Sequence, residues 1–344
     1  MIQTKDISFV VQGAIDRTIS PLTGEPMTRS CLASLRKYHP GAELILSTWP
    51  DQDLSGLDYD VLVINEDPGA WNAFHPDCGV VKLDNTNRQI VSTKNGLRKA
   101  GRPYAAKIRS DMVFSGNGWM RYLDRYPRRI EAWKIFRERV ITCSMFARDP
   151  RCPYSRQALH PPDWVYIGLT EDIRLLWDID IQPEPESSQW FLNRPIPSPY
   201  NLDVDLRRYS PEQYLWRTLL AKFGTVRLES RGDLCDENIA ATEISFANNL
   251  IILDVDQFPF TVHRYPVPLS AWYSFYRFLS HREWEWLYYR HCGSAPTRAA
   301  LARMCSPHYY LKRAYFAWHR PWQTVKRLRG LPNVLSSPVG PQRA

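Results

Sequence analysis

Two hydrophobic periods alternate along the first half of the chain. Short apolar runs at Ile7-Ser8-Phe9-Val10-Val11, Glu43 to Trp49 and Asp60 to Asn65 have the length of buried strands. Between the first two, Thr28 to Tyr38 sets Leu32 and Leu35 at helical spacing, and His39-Pro40-Gly41 ends it. Asn87 onward repeats the helical period through Ile90, Leu97 and Ala100 until Gly101 and Pro103 stop it. Tyr104 to Met112 then reads as a further strand. Strand, helix, strand in repetition predicts an α/β chain with a mostly parallel, doubly wound sheet.

The strand from Tyr104 carries an anomaly. Its alternation puts Lys107, Arg109 and Asp111 on one face and Ile108, Ser110 and Met112 on the other. A central strand covered by helices should be apolar on both faces. Such charges belong where the strand leaves the sheet, and at the carboxyl ends of strands open α/β folds bind ligands. Gln12-Gly13 ends the first strand in the same way. Glycine there lets a ligand approach the backbone, and the Gln amide can bond a base or ribose, or the pair is a plain strand-to-loop exit. Asp67, in the turn Glu66-Asp67-Pro68-Gly69, stands at another strand exit as a ligand contact or a turn residue. Arg88 sits near a helix N-terminus, where the dipole disfavours a cation; it faces a diphosphate or is solvated.

The second half predicts a short helix over Trp119 to Tyr126, a strand over Arg139 to Phe146 and helices over Thr170 to Trp177 and Leu215 to Phe223. Ile244 to Phe260 reads as a strand pair turning at Asn248-Asn249. Asp180 to Pro211 is rich in proline, as lids and substrate walls often are. It leads into Ser210-Pro211-Glu212-Gln213-Tyr214. Ser210 fits a helix cap with Gln213 as its reciprocal partner, while Glu212 in the first turn can reach a cleft and deprotonate a hydroxyl. Asp163-Trp164 pairs a carboxylate with a ring, the combination that sugar sites use for hydroxyl bonding and stacking.

Asn87-Arg88-Gln89, Ser92-Thr93, Gly96-Leu97 and Lys107-Ile108-Arg109-Ser110-Asp111 resemble the WavE-type lipopolysaccharide-synthesis family of bacterial surface-polysaccharide proteins. The resemblance runs from the first strand to Tyr214, about two thirds of the chain. It implies a GT-A-like glycosyltransferase domain over 1–265, with a nucleotide-sugar half at 1–118 and an acceptor half at 119–265. It also implies donor contacts at Gln12, Gly13, Asp67, Asn87, Arg88, Gln89, Lys107 and Arg109, catalytic roles for Asp111, Asp163 and Glu212, and acceptor contacts at Trp164 and Gln213. GT-A-type enzymes hold Mg²⁺ or Mn²⁺ through an Asp-x-Asp motif at this strand exit, and here the first acid is replaced by Arg109. Asp111 therefore stays open between three roles: metal ligand, donor-sugar contact, and ion-pair partner of Arg109. A late histidine, His263, is open between metal ligand and ordinary surface or core residue.

Composition narrows the partners. The 344 residues carry a net charge of +8 and 13 Trp, and no acid occurs after position 305. A nucleotide diphosphate, an anionic lipid surface and a nucleic acid all suit that balance. No nucleic-acid motif occurs, which ranks a basic nucleic-acid binder last; a non-catalytic polysaccharide-assembly subunit is the nearer alternative. Residues 266–330 read as aromatic, basic and helical, fit to lie on an anionic membrane surface beside a lipid-linked acceptor, and 331–344 as a disordered tail. The 7 Cys show no zinc or disulfide spacing. With no signal segment or membrane span in the pattern, the expected location is cytoplasmic, at the inner face of the membrane.

Overall fold

A computed structural model describes residues 2–151, 156–196, 205–224, 226–262 and 278–293, with isolated residues beyond. Two units divide the chain, Met1–Pro296 and Thr297–Ala344, and the elements below belong to the first. The strands are β1 (Ile7–Gln12), β2 (Glu43–Thr48), β3 (Val61–Ile64), β4 (Trp71–Asn72), β5 (Leu83–Asp84), β6 (Tyr104–Arg109), β7 (Met112–Phe114), β8 (Val140–Cys143), β9 (Tyr166–Leu169), β10 (Leu250–Leu253) and β11 (Phe260–Val262). The helices are α1 (Met27–Tyr38), α2 (Thr86–Arg98), α3 (Thr170–Trp177), α4 (Pro211–Ala221), α5 (Asp236–Asn249) and α6 (His281–His291).

Seven strands form one sheet in the order β10-β8-β9-β6-β1-β2-β3. All its pairings are parallel except the two that β9 makes, with β6 and β8. The fold is α/β and GT-A-like, as expected from the family resemblance. β1 lies inside the sheet between β6 and β2, with every residue buried. One face of β1 packs Phe9 against His39 and Phe114, with ring centroids 4.7 and 6.2 Å away. The other face, Val10 and Gln12, meets α2. That helix comes down close to the sheet at Gly96, where an added Cβ would stand 2.4 Å from Val10 Cγ1 and 3.1 Å from Ser47 Cβ.

Three sequence expectations change. The strand from Tyr104 ends at Arg109, not Met112. Ser110 turns the chain by donating its N–H to the Gln12 carbonyl (3.1 Å) and its hydroxyl to the Ala14 carbonyl (2.7 Å). Met112 then starts β7, which pairs antiparallel with β11 outside the main sheet. The stretch expected as a strand pair turning at Asn248-Asn249 is instead the end of α5 followed by β10. Both Asn side chains are fully buried and donate back to carbonyls one turn earlier, Ile244 (2.9 Å) and Ser245 (3.1 Å), which keeps the backbone helical. Trp119 onward forms a tight 3₁₀ turn, Gly118–Tyr122, with Trp119 fully buried against His39.

Beyond the sheet, α6 packs Trp284 and Tyr288 against Tyr126, with centroids 4.7 and 5.0 Å away. Among the described residues no helix is long and apolar enough to cross a membrane.

Alanine in a helix interior usually stabilises by up to about 1 kcal/mol over glycine. At Gly96 the contact with β1 reverses the sign. Gly96→Ala should lower the unfolding free energy by about 1–3 kcal/mol in urea titrations, and a gain in stability would show that α2 does not rest on β1 as described.

Candidate active site

The antiparallel strand β9 builds the site. Because it runs against its neighbours, the residues that precede it, Asp163 and Trp164, arrive at the carboxyl ends of β6 and β8. Lys107, opposite Tyr166 in the register, is fully buried beneath them. Its ammonium donates to the Asp163 carbonyl and to the Trp164 carbonyl (3.5 Å), and stands 4.9 Å over the Trp177 ring. Burial pulls the Lys107 ammonium down to about 7, with Asp163 opposing that fall. Gln89, from the first turn of α2, donates its amide to Asp163 Oδ2 (2.9 Å) and to the Asp163 carbonyl (3.2 Å). The Arg109 guanidinium lies 5.1 Å over the Trp164 ring.

The opposite wall is the N-terminus of α4. Ser210 accepts from the Gln213 N–H (3.2 Å) while Gln213 Oε1 accepts from the Ser210 N–H (3.3 Å), and Pro211 takes the first helical position. This cap turns Glu212 inward, its side chain 12% exposed and Oε2 3.4 Å from His160 Nε2. Burial lowers His160 to about 3, so it is neutral and that contact is no ion pair. Asp163 and Glu212 line one pocket of about 370 Å³ with Arg109, Trp164, Arg148 and His160. Burial, then the charge of Glu212, raises Asp163 above the ordinary carboxylate value, against Lys107 and Gln89. Burial likewise raises Glu212.

Asp205 and Arg207 close the pocket. Arg207 forks Asp205 (3.0 and 2.8 Å), and Arg231 reaches the same carboxylate at 3.1 Å. The segment is held by the β4–β5 hairpin: Leu206 N–H donates to the Ala73 carbonyl (2.8 Å), and Asn72 ties Phe74 and Lys82 together by accepting both N–H groups. Lys82, on that hairpin, faces the pocket as well.

The expected site residues separate into groups. Asp163, Trp164, Glu212 and Arg109 meet at the pocket, with Gln89 and Lys107 supporting Asp163 from behind. Gln12, Gly13, Asp67 and Arg88 lie along the same edge of the sheet but outside that pocket. Gln12 accepts from the Ser92 hydroxyl (2.8 Å), Gly13 turns with φ 116°, and Arg88 forks Asp67 at 2.7 and 2.6 Å. Arg88 thus owes its place near a helix N-terminus to a carboxylate of this chain. Three expectations need correction. Lys107 has no exposed surface with which to grip a diphosphate. Asn87 is buried in a reciprocal amide contact with the Gln182 backbone (3.0 and 2.7 Å). Gln213 is fully buried and donates to the Ala158 carbonyl (2.8 Å), which leaves it to the helix cap and not to an acceptor.

Asp111 lies outside the pocket, and its two oxygens accept from Arg109 at 2.8 and 2.6 Å. A divalent ion of the GT-A kind needs several oxygen donors. Among the described residues no three His, Cys, Asp or Glu side chains converge, and His263 lies outside those residues. Sequence reasoning missed Lys82, Arg148, Gln157, His160, Asp205, Arg207 and Arg231, which line the pocket. Only His160, three residues before Asp163, and the Asp205–Arg207 alternation ahead of the Ser210 cap gave any local signal.

A family model described as WavE lipopolysaccharide synthesis matches residues 7–314. The chain belongs to that family. Membership places it in lipopolysaccharide synthesis, and the match extends well past Tyr214, across α5, β10 and α6. No curated protein matches the chain.

Lys107 makes a pH-dependent contribution that can be isolated. Its folded value of about 7 lies below the ordinary 10.5, so from pH 7 to 10 the unfolded chain binds the extra proton and stability rises with pH. Lys107→Met removes that slope. The stability difference between wild type and variant, measured in urea at pH 6, 7, 8 and 9, should move in favour of wild type as pH rises. A constant difference would mean that Lys107 is not neutralised in the fold.

Proposed function

We propose that this protein is a glycosyltransferase that moves a sugar from a nucleotide-sugar donor to a growing surface polysaccharide. One observation carries the reading: a pair of proton-accepting carboxylates, Asp163 and Glu212, in a cation-lined pocket at the carboxyl edge of a GT-A-like sheet. In the transfer, Asp163 takes the proton of an acceptor hydroxyl as that oxygen bonds to the sugar's anomeric carbon. The bond from that carbon to the diphosphate oxygen breaks, and its electron pair leaves with the nucleotide. Arg109 and Arg148 meet the charge that grows there. Trp164, expected from sequence as an acceptor contact, is only 3% exposed; its ring instead carries the Arg109 guanidinium and holds it at the pocket wall. Burial, and then the charge of Glu212, raises the proton affinity of Asp163, which suits a general base.

The acid-free stretch from 306 to 344 carries Lys312, Arg313, Arg320, Lys326, Arg327 and Arg329 among aromatic residues. That composition supports seating on an anionic membrane surface, where a lipid-linked acceptor would be met.

Transfer from UDP-, CDP- and GDP-sugars to core or O-antigen acceptors tests the reading. Asp163→Asn should cut turnover about 10²–10⁴-fold, with circular dichroism and calorimetric binding of the nucleoside diphosphate unchanged. Full turnover in that variant would remove Asp163 as the base. The pH profile supplies a second check. Turnover should fall as pH drops through a value above the ordinary carboxylate range. Glu212→Gln, which removes the charge that raises Asp163, should move that fall to lower pH. An unmoved acid limb would uncouple the two carboxylates.

A further inference from the structure

Five cations, Lys82, Arg109, Arg148, Arg207 and Arg231, line the pocket against three carboxylates, Asp163, Asp205 and Glu212. Two arginines of that lining share one carboxylate: Arg207 forks Asp205, and Arg231 reaches the same group at 3.1 Å. The Arg231 side chain is only 4% exposed, and its Nε has no hydrogen-bond partner. Lys82 adds a third cation. Among the described residues its ammonium makes no ion pair and stands 5.1 Å over the Phe74 ring. The nearby Asp84 acts on it through space only, its carboxylate being turned to the Thr86 N–H (2.8 Å) and hydroxyl at the start of α2. Cations gathered at one pocket wall repel one another, and the buried Arg231 has lost hydration as well, a cost that an anion bonded to them offsets.

A neutral sugar cannot supply that charge. The donor diphosphate, held toward Arg109 and Arg148 in the reading above, leaves Lys82, Arg207 and Arg231 to the other substrate. We propose that the Lys82–Arg207–Arg231 cluster is a subsite for a second oxyanion, so that the sugar placed there is acidic, bearing a phosphate or a carboxylate. The inference rests on the glycosyl-transfer reading for which substrate carries the anion, but the subsite itself stands on the cations alone. Its place beside Glu212 orients the acidic sugar with its hydroxyls toward the carboxylate pair. The hairpin bond from Leu206 N–H to the Ala73 carbonyl fixes Lys82 and Arg207 relative to each other, so the subsite is built before any ligand arrives.

Calorimetric titration of the full chain, with UDP present, uses inorganic phosphate and glucuronate as separate probes. Wild type should bind one of them saturably, and Lys82→Gln should weaken that binding about tenfold, the loss of one charge-assisted contact. UDP affinity should differ less than about threefold between the two proteins. Preference for phosphate would assign a phosphorylated sugar, and preference for glucuronate a uronic or other carboxylate sugar. The proposal is overturned if neither probe binds wild type, or if both bind wild type and Lys82→Gln alike. It is also overturned if Lys82→Gln loses UDP together with the probe, because these cations would then hold the donor diphosphate. Should wild type bind the probe through Lys82 yet bind none of UDP, CDP or GDP, the transfer reading fails and the oxyanion subsite remains.

Discussion

The contact between the Lys107 ammonium and the carbonyls of Asp163 and Trp164 holds the carboxyl edge of this protein together. A cation with no exposed surface must find oxygens, and those it bonds belong to the chain entering β9. The loop is therefore pinned where Lys107 stands, in the fourth strand of the sheet by sequence. Gln89 adds a second fixed point from α2, and the Trp177 ring closes the ammonium from below. Carbonyls carry no full charge, so the ammonium is satisfied geometrically but poorly compensated electrically, which is why its proton is loosely held. The bond also links what the resemblance divides into a donor half and an acceptor half. Asp163 is placed by residues from the first and used against a helix of the second.

Around that anchor the charges fall into three kinds. Some are paired within the chain: Arg88 with Asp67, and Arg109 with Asp111 while still lining the pocket. Some are shared, as Asp205 is between Arg207 and Arg231. Asp163 and Glu212 line one pocket, and burial makes both hold protons more tightly than free carboxylates, with the charge of Glu212 adding to the effect on Asp163. This division separates the acid that looks catalytic in the sequence, Asp111, from those whose surroundings equip them for proton transfer.

Much of the sheet was legible because buried parallel strands announce themselves as apolar runs, and β1, β2 and β3 each did. The failure at Asn248-Asn249 has a physical origin. Asn is common in turns because its side chain bonds the backbone nearby, and the same ability here serves a buried helix end, a tertiary outcome that no local pattern reveals. Lys107 was read correctly as a charge on a buried strand and placed wrongly at its surface, since alternation gives a face but not the depth. Asp163, Trp164 and Glu212 were legible from chemistry and capping grammar. Lys82, Arg207 and Arg231 were not, because they meet only through the pairing of a hairpin at Trp71–Asp84 with a segment more than a hundred residues later.

One reversed strand has a consequence for how such a protein can diversify. In a wholly parallel sheet, every loop at the carboxyl edge follows its strand. β9 instead receives its loop first, so the segment from Ser144 to Val165 joins two strands at that edge and returns to it without crossing the sheet. That segment carries Phe146, Arg148, Gln157, His160 and Asp163 into the pocket. Apart from Asp163 and Trp164, which Lys107 and Gln89 hold, the described residues of that segment are not tied to the registers of β1, β2 and β6. The topology thus gives one wall of the pocket to a single connection that can be altered without rebuilding the frame.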